Sequence, residues 1–170
     1  ITGNNFSVTF NNGMLSGYTV NGTSMLAAPL QLHAFRLPID NERGRAGNYD
    51  RMGLRNLKLT TTQLETTLSK DKQTATVVMT NQYKSEGESS FVMRQVIDVL
   101  ADGVLVINAT IDPQPKNREL PRIGLRIEMP AGFENMCWLG RGPHDSYVDR
   151  KESAHVGLYH SRVSDEWTNY

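Results

Sequence analysis

The stretch TATVVMTNQYKSEGESSFVMRQVIDVL, residues 74–100, decides the fold class of this chain. Two long runs rich in β-branched and aromatic residues, 74–84 and 90–100, flank the polar segment SEGE at 85–88. Alternation of apolar and polar residues predicts a half-buried strand, and a short polar segment with a glycine between two such runs predicts a hairpin. The stretch therefore predicts two long antiparallel strands.

The same alternation recurs on both sides of this hairpin. Asn21-Gly22 and Asp102-Gly103 supply further tight turns, and only short helical turns are expected, at 45–56 and 161–167. The chain is therefore predicted to be all-β, an antiparallel β-sandwich forming a single domain over residues 1–170. The other strand-like runs are FSVTF (6–10), GYTVNGTSM (17–25), LQLHAF (30–35), LKLTTTQLETTLS (57–69), VLVINATIDP (104–113), RIGLRIEMP (122–130) and CWLG (137–140).

The charge balance excludes two classes of partner. The chain has 18 basic and 18 acidic residues, whereas a nucleic-acid or anionic-membrane partner requires a basic excess. No apolar run approaches the roughly 20 residues that cross a bilayer, and Ile1 is not followed by the pattern of a signal peptide. We expect no nucleic-acid partner and no membrane segment.

Charged groups and a glycine follow the LQLHAF run directly, in the segment FRLPIDNERG, 35–44. Carboxylates and guanidinium groups are suited to binding hydroxyls. The competing interpretation is a solvated loop held rigid by an Arg36–Asp40 ion pair. The candidate residues of this loop are Arg36, Asp40, Asn41, Glu42, Arg43 and Gly44.

A second dense segment, WLGRGPHDSYVDRK, occupies 138–151. Carboxylates with an arginine and an aromatic ring are typical of sugar sites, because the ring covers the apolar face of a sugar. The competing interpretation is again a solvated loop, here braced by an Asp149–Arg150 pair. The candidates are His144, Asp145, Tyr147, Asp149 and Arg150, as sugar-facing or loop-bracing residues.

Catalytic, metal and cofactor sites are not predicted. Glycoside hydrolysis uses two carboxyl groups, one with a raised pKa, and no loop carboxylate here has an evident apolar neighbour that would raise its pKa. His155 and His160 lack the companion ligands of a metal site. Cys137, beside Trp138 in an apolar run, is expected to be a buried, inert thiol.

Two of these segments together resemble one family. FRLPIDNERG resembles the R-x-P-x-D-N-D loop in the C-terminal domain of bacterial β-galactosidases of glycoside hydrolase family 2. CWLGRGPHDSYVDRK, 137–151, resembles that domain's W-x-G-x-G-P-x-E-x-Y-x-D-R stretch. LPRIGLRIEMP, 120–130, and SDEWTNY, 164–170, are similar to family segments in the same order.

The resemblance implies a galactose-mutarotase-like supersandwich and a non-catalytic role. In such enzymes, which hydrolyse terminal β-galactosides, a separate barrel carries the catalytic glutamates. This domain packs on the barrel and supplies a loop to the mouth of the active site. Arg36, Pro38, Asp40 and Asn41 match the loop motif, Glu42 stands where the family usually has Asp, and Gly44 matches the glycine on which the loop swings.

The resemblance also has consequences for partners and location. Asp145 replaces the family's usual Glu, and the family domain continues past the position that matches Tyr170. The chain is thus expected to be the N-terminal part of that domain, inactive alone, with the remaining domains of a bacterial parent enzyme and its galactoside substrate as partners. Uncovered strand edges predict self-association of the fragment. The compartment, cytoplasmic or periplasmic, is left open.

Two alternatives stay open from the residues. An aldose-1-epimerase-like enzyme would use His144 or His155 as its acid, although no glutamate has a comparable setting. A free-standing carbohydrate-binding module would use Trp138, Tyr147 and Trp167 as its platform. A mutarotation assay and a glycan titration separate these alternatives.

Overall fold

The computed structural model describes residues 1–115, 119–144 and 146–166, without the side chains of residues 45, 46, 148 and 149. The described chain is nearly all antiparallel β-structure with one α-helix, which confirms the predicted all-β fold class. It divides into two compact units, Ile1–Glu128 and Met129–Tyr170. The single domain over residues 1–170 stays a prediction.

The strands of the first unit are β1 Phe6–Asn11, β2 Met14–Val20, β3 Thr23–Ser24, β4 Ala28–His33, β5 Leu57–Leu68, β6 Thr74–Ser85, β7 Ser90–Leu100, β8 Leu105–Gln114 and β9 Gly124–Glu128. The unit is built around a long antiparallel sheet in the order β5-β6-β7-β8. A second sheet has the order β1-β2-β3, and β4 pairs with β9. A 3-10 helix, Asp40–Arg45, leads into α1, Ala46–Met52. Within the described residues, no helix has both the length and the apolar character needed to cross a bilayer.

The turns of the small sheet are Asn-Gly turns. Asn21 and Gly22 have φ angles of 50° and 79°, so the predicted hairpin at this dipeptide is confirmed. Asn12 and Gly13, with φ of 49° and 70°, make the same turn between β1 and β2. Two successive positive φ angles are required by the hairpin turn whose twist matches that of the strands, which is why Asn and Gly occupy it.

The predicted central hairpin is present as β6 and β7, and burial alternates residue by residue along both strands. The buried side chains form two clusters on the inner face of the long sheet. Strands β1, β2 and β4 cover the first cluster, and α1 with the end of β4 covers the second. This is a sandwich arrangement within the first unit. The clusters comprise Phe6, Val8, Leu15, Leu30, Ala75, Val77, Met79, Ile97 and Val99, and Leu32, Ala34, Tyr49, Met52, Leu54, Tyr83, Phe91 and Met93.

A β-bulge interrupts the edge strand β5. Leu59 lies opposite Tyr83, but Thr61 lies opposite Gln82, so Thr60 is the extra residue. Because side chains alternate across a strand, one inserted residue exchanges the two faces. The inner face of β5 therefore changes from odd-numbered to even-numbered positions, and Leu64 comes opposite the buried Met79.

The second unit contains a two-stranded antiparallel sheet of β10, Asn135–Gly142, and β11, His155–Arg162. Strand β10 contains the predicted CWLG strand, whereas β11 was not predicted. Two 3-10 helices, Val148–Ser153 and Val163–Glu166, flank β11, and the second lies within the helical turn expected at 161–167.

Candidate functional site

The loop after β4 is braced by one arginine. Arg36 donates from Nη1 and Nη2 to the two carboxylate oxygens of Glu42, at 2.7 Å each. The two side chains are only 20% and 17% exposed. Arg36 also donates from Nε to the carbonyl oxygen of Pro121 at 2.8 Å. The segment between Arg36 and Glu42 is thus closed into a ring and tied to the chain ahead of β9.

The environment of Glu42 favours its charged form. The hydrogen bond from Arg36 is the main cause of a lowered pKa at Glu42. Burial acts in the opposite direction, while the Ile39 backbone N–H, at 3.2 Å, and the Tyr49 side chain add to the lowering of the pKa. A carboxyl group with a lowered pKa is already ionised at neutral pH and is a poor general acid. Glu42 is therefore a bracing residue in this structure.

The tip of the same loop is exposed. Arg43 donates from Nε and Nη2 to Oδ1 of Asp40, at 3.1 and 2.6 Å, and both side chains are at least 80% exposed. Asn41 and Gly44 are exposed as well. The bracing pair expected for a rigid loop was Arg36–Asp40, but the bracing carboxylate is that of Glu42. Glu42 accepts from Arg36 because Glu42 lies within the 3-10 helix, where its backbone N–H bonds to the Ile39 carbonyl oxygen.

The second group of candidates surrounds the 3-10 helix Val148–Ser153. His144 Nε2 lies 3.3 Å from the Ser153 hydroxyl oxygen. Tyr147 is half-buried, and its carbonyl oxygen accepts the backbone N–H of Arg150 at 3.0 Å. Arg150 is exposed, and its carbonyl oxygen accepts from the Ser153 hydroxyl at 2.9 Å.

Two acidic candidates of this group, Asp145 and Asp149, have side chains that the structure does not describe. Asp145 lies outside the described residues, and so does the side chain of Asp149. The predicted Asp149–Arg150 brace and the sugar-facing role of Asp145 stay predictions.

Arg141 and Tyr159 are structural residues of this loop that the sequence analysis missed. Arg141 donates from Nη1 to the carbonyl oxygens of Lys151 and Ala154, at 3.0 and 2.9 Å. Tyr159 packs on Trp138, with ring centroids 5.4 Å apart and planes inclined by 32°. The Tyr159 contact depends on β11, which the sequence pattern did not predict.

The environment of Cys137 differs from the expectation. Cys137 is exposed rather than buried. It lies directly opposite His160 on β11, and its Sγ is 4.0 Å from His160 Nε2. The expectation of burial was wrong, because the sheet face that carries Cys137 is exposed, including Leu139 and Leu158.

In residues 1–115, 119–144 and 146–166 no cluster of three or more His, Cys, Asp and Glu side chains could hold a metal ion. The first candidate group belongs to the first compact unit and the second group to the second. Chemically, each is a braced polar loop, and in the first of them the pKa of Glu42 is lowered.

Comparison with known proteins identifies relatives along nearly the whole chain. The family described as "Beta galactosidase small chain" matches residues 2–170. A protein named β-galactosidase from Vibrio cholerae serotype O1 is 28% identical over 170 residues, which cover 93% of this chain and 16% of the relative. One from Priestia megaterium is 26% identical, covering 100% of this chain and 16% of the relative. One from Enterobacter cloacae is 31% identical, covering 86% of this chain and 15% of the relative. The chain thus spans about a sixth of these relatives' length.

Proposed function

Because the chain belongs to the β-galactosidase small chain family, we propose that it is a non-catalytic β-sandwich part of a larger enzyme that hydrolyses terminal β-galactosides. The observation that carries the proposal is the family match over residues 2–170. The relatives named above support it, since each matches this chain over only a small share of its own length. The partners in this proposal are the other domains of the parent enzyme and, through them, the galactoside.

Within the parent enzyme, the loop from Arg36 to Gly44 is proposed to lie at the mouth of the active site. The Arg36–Glu42 ion pair would fix the base of the loop. The exposed Asp40, Asn41 and Arg43 would present a carboxylate, an amide and a guanidinium group to hydroxyl-rich ligands. Gly44, where an added Cβ would meet nothing within 4 Å, would allow the loop to move.

The catalytic carboxyl groups are proposed to lie outside this chain. A general acid needs a pKa near the working pH, and the pKa of Glu42 is lowered by Arg36. The surface pair Asp40–Arg43 has the exposure of a solvated ion pair rather than of an apolar pocket.

The exchange of segments between relatives tests this proposal. Residues 2–170 replace the matching segment of the Vibrio cholerae β-galactosidase, and hydrolysis of a chromogenic β-galactoside is measured. We expect the chimera to be active, while the purified chain alone shows no turnover. Asp40→Ala in the chimera should raise KM more than it lowers kcat, because it removes a group at the mouth rather than one that reacts. Turnover by the chain alone would contradict the non-catalytic role.

The binding-module alternative has less support. Its platform was to include Trp138, but the Trp138 ring packs against Tyr159 and its Nε1 donates to the Arg141 carbonyl oxygen at 3.1 Å. Those contacts support a structural role for Trp138. Tyr147 is half-buried, and Trp167 lies outside the described residues. A glycan titration of the purified chain and a mutarotation assay remain the direct tests of the two alternatives.

A further inference from the structure

Cys137 and His160 form a cross-strand pair that the function proposed above does not use. They are register partners on β10 and β11, so their side chains leave the same face of the two-stranded sheet. Sγ and Nε2 are 4.0 Å apart, and both residues are exposed. A nucleophilic sulfur therefore has a base beside it and solvent in front of it, which is the arrangement of an activated thiol.

The charged surroundings of the pair favour an anionic reactant. An open depression of about 480 Å³ beside it is lined by the pair itself and by Asn135, Met136, Ser161, Arg162 and Asp165. Arg162 is the diagonal neighbour of Cys137 on the same sheet face. The guanidinium group of Arg162 attracts a negatively charged reactant to this face. Asp165, in the 3-10 helix after β11, is the opposing charge in this depression.

A structural metal site is the weaker explanation of the same pair. Structural zinc takes four protein ligands. Cys137 and His160 supply two, and the described part of the chain holds no cluster of three or more candidate ligands. The exposure of both side chains fits a reaction with a small molecule from solvent.

We propose that Cys137 and His160 are a reactive thiol–imidazole pair that exchanges with small anionic disulfides. His160 takes the thiol proton, and the Cys137 sulfur attacks one sulfur of the disulfide. A new S–S bond forms to Cys137 as the old S–S bond breaks, and the leaving thiolate takes up the proton as a free thiol. One disulfide is consumed and one is formed, so no further oxidant is needed. The modification is reversed by excess thiol.

The cysteine content of the chain makes thiol measurements specific to one residue. Cys137 is the only cysteine, so any thiol signal from the purified chain reports this residue. The rate of reaction is measured with 5,5′-dithiobis(2-nitrobenzoate), glutathione disulfide and the neutral 2-hydroxyethyl disulfide. Mass spectrometry should detect one glutathione added to the chain, removed again by dithiothreitol.

The His160→Gln variant tests the role of the imidazole. We expect its rate near neutral pH to fall roughly three- to tenfold, because the variant lacks the base that takes the thiol proton during the attack. The wild-type advantage should narrow above about pH 9, where an unassisted thiol also ionises. His155→Gln is the matched control, since His155 lies on the same strand but opposite Gly142, on the other face of the sheet. It should react at the wild-type rate.

The Arg162→Gln variant tests the preference for anions. It should slow the two anionic disulfides and leave the neutral one unchanged. Cys137 is already exposed in the folded chain, and unfolding would separate it from His160, so circular dichroism must show that each variant is folded before the rates are compared. If His160→Gln does not fold, the charge preference measured with Arg162→Gln decides. Equal rates for wild type and His160→Gln at neutral pH, or no mixed disulfide with glutathione disulfide, would overturn the proposal. Both results are independent of β-galactoside hydrolysis.

Discussion

Arg36 and Glu42 form a two-point ion pair, with both guanidinium Nη atoms 2.7 Å from carboxylate oxygens. A second pair, Asp40–Arg43, lies in the same loop at a similar distance. The first pair is mostly buried and the second is mostly exposed. The same chemistry is therefore expected to have different energetic consequences a few residues apart, because water screens the second pair and not the first.

Glu42→Gln should destabilise the first unit. The substitution replaces the carboxylate that accepts two charge-assisted hydrogen bonds from the mostly buried Arg36 with a neutral amide, so we expect the free energy of unfolding to fall by about 1–3 kcal/mol. Urea unfolding followed by circular dichroism measures it. Asp40→Asn is the matched control and should change stability by less than about 0.5 kcal/mol, since its pair is exposed. Equal losses in the two variants would contradict the division of the loop into a braced base and a solvated tip.

The stabilising effect of Glu42 should depend on pH. The folded-state pKa of Glu42 is lowered, chiefly by Arg36. Such a group contributes stability above its unfolded-state pKa, and that contribution is lost as the pH falls through the folded-state pKa. The difference in unfolding free energy between wild type and Glu42→Gln should be full above about pH 5 and shrink below about pH 4. Subtracting the variant cancels Asp71 and Glu86, whose pKa values are also lowered. A difference independent of pH would argue against the prediction.

Gly87→Ala should destabilise the turn between β6 and β7. An added Cβ at Gly87 would lie 2.0 Å from the Arg51 carbonyl oxygen, which is a backbone atom and cannot move aside without shifting the end of α1. We expect a loss of about 2 kcal/mol or more, as for other overpacked sites. Gly47→Ala is the opposite control: Gly47 lies in α1 with open space around it, so helix propensity should raise stability by up to about 1 kcal/mol. Thermal unfolding of both variants measures the two changes in stability. Changes in the same direction would count against the packing described for Gly87 and Gly47.

Gln95→Met should stabilise the core. Gln95 is fully buried opposite Met79, and neither its Oε1 nor its Nε2 has a hydrogen-bond partner among the described residues. Removing a buried amide without partners recovers its desolvation cost, while methionine keeps a similar volume. We expect a gain of about 1 kcal/mol in the free energy of unfolding. A loss of stability in denaturant unfolding would mean that the amide is satisfied in the protein in solution.

The purified chain should self-associate through the β5 edge of the long sheet. Leu64 and Leu68 lie on the inner face of β5 yet are 45% and 60% exposed. An exposed edge strand with apolar side chains recruits further chains, and zero net charge gives little repulsion against it. Light scattering over a dilution series should detect association, weakened by Leu68→Lys. Thr67→Lys adds the same charge to the opposite face and should have less effect. A monomer at every concentration would refute the prediction.

The short-range features of the fold were predictable from sequence. Alternation over 74–84 and 90–100 identified β6 and β7, and Asn21-Gly22 identified its hairpin, because strand periodicity and positive φ angles depend on neighbouring residues. Strand β11 was missed, since short runs such as HVGLYH carry little periodic signal. The loop candidates from Arg36 to Gly44 were identified by their density of charged residues. The sequence did not predict which of them would brace the base of the loop and which would lie exposed at its tip.

The sequence by itself determined the all-β class, the tight turns and the family. Only the tertiary structure decided that Arg36 pairs with Glu42, that Thr60 exchanges the faces of β5, and that Cys137 meets His160. The physical reason is that these contacts depend on strand register and chain closure. Register is set by which strand lies beside which, and residues as far apart as Cys137 and His160 carry no local signal of their pairing.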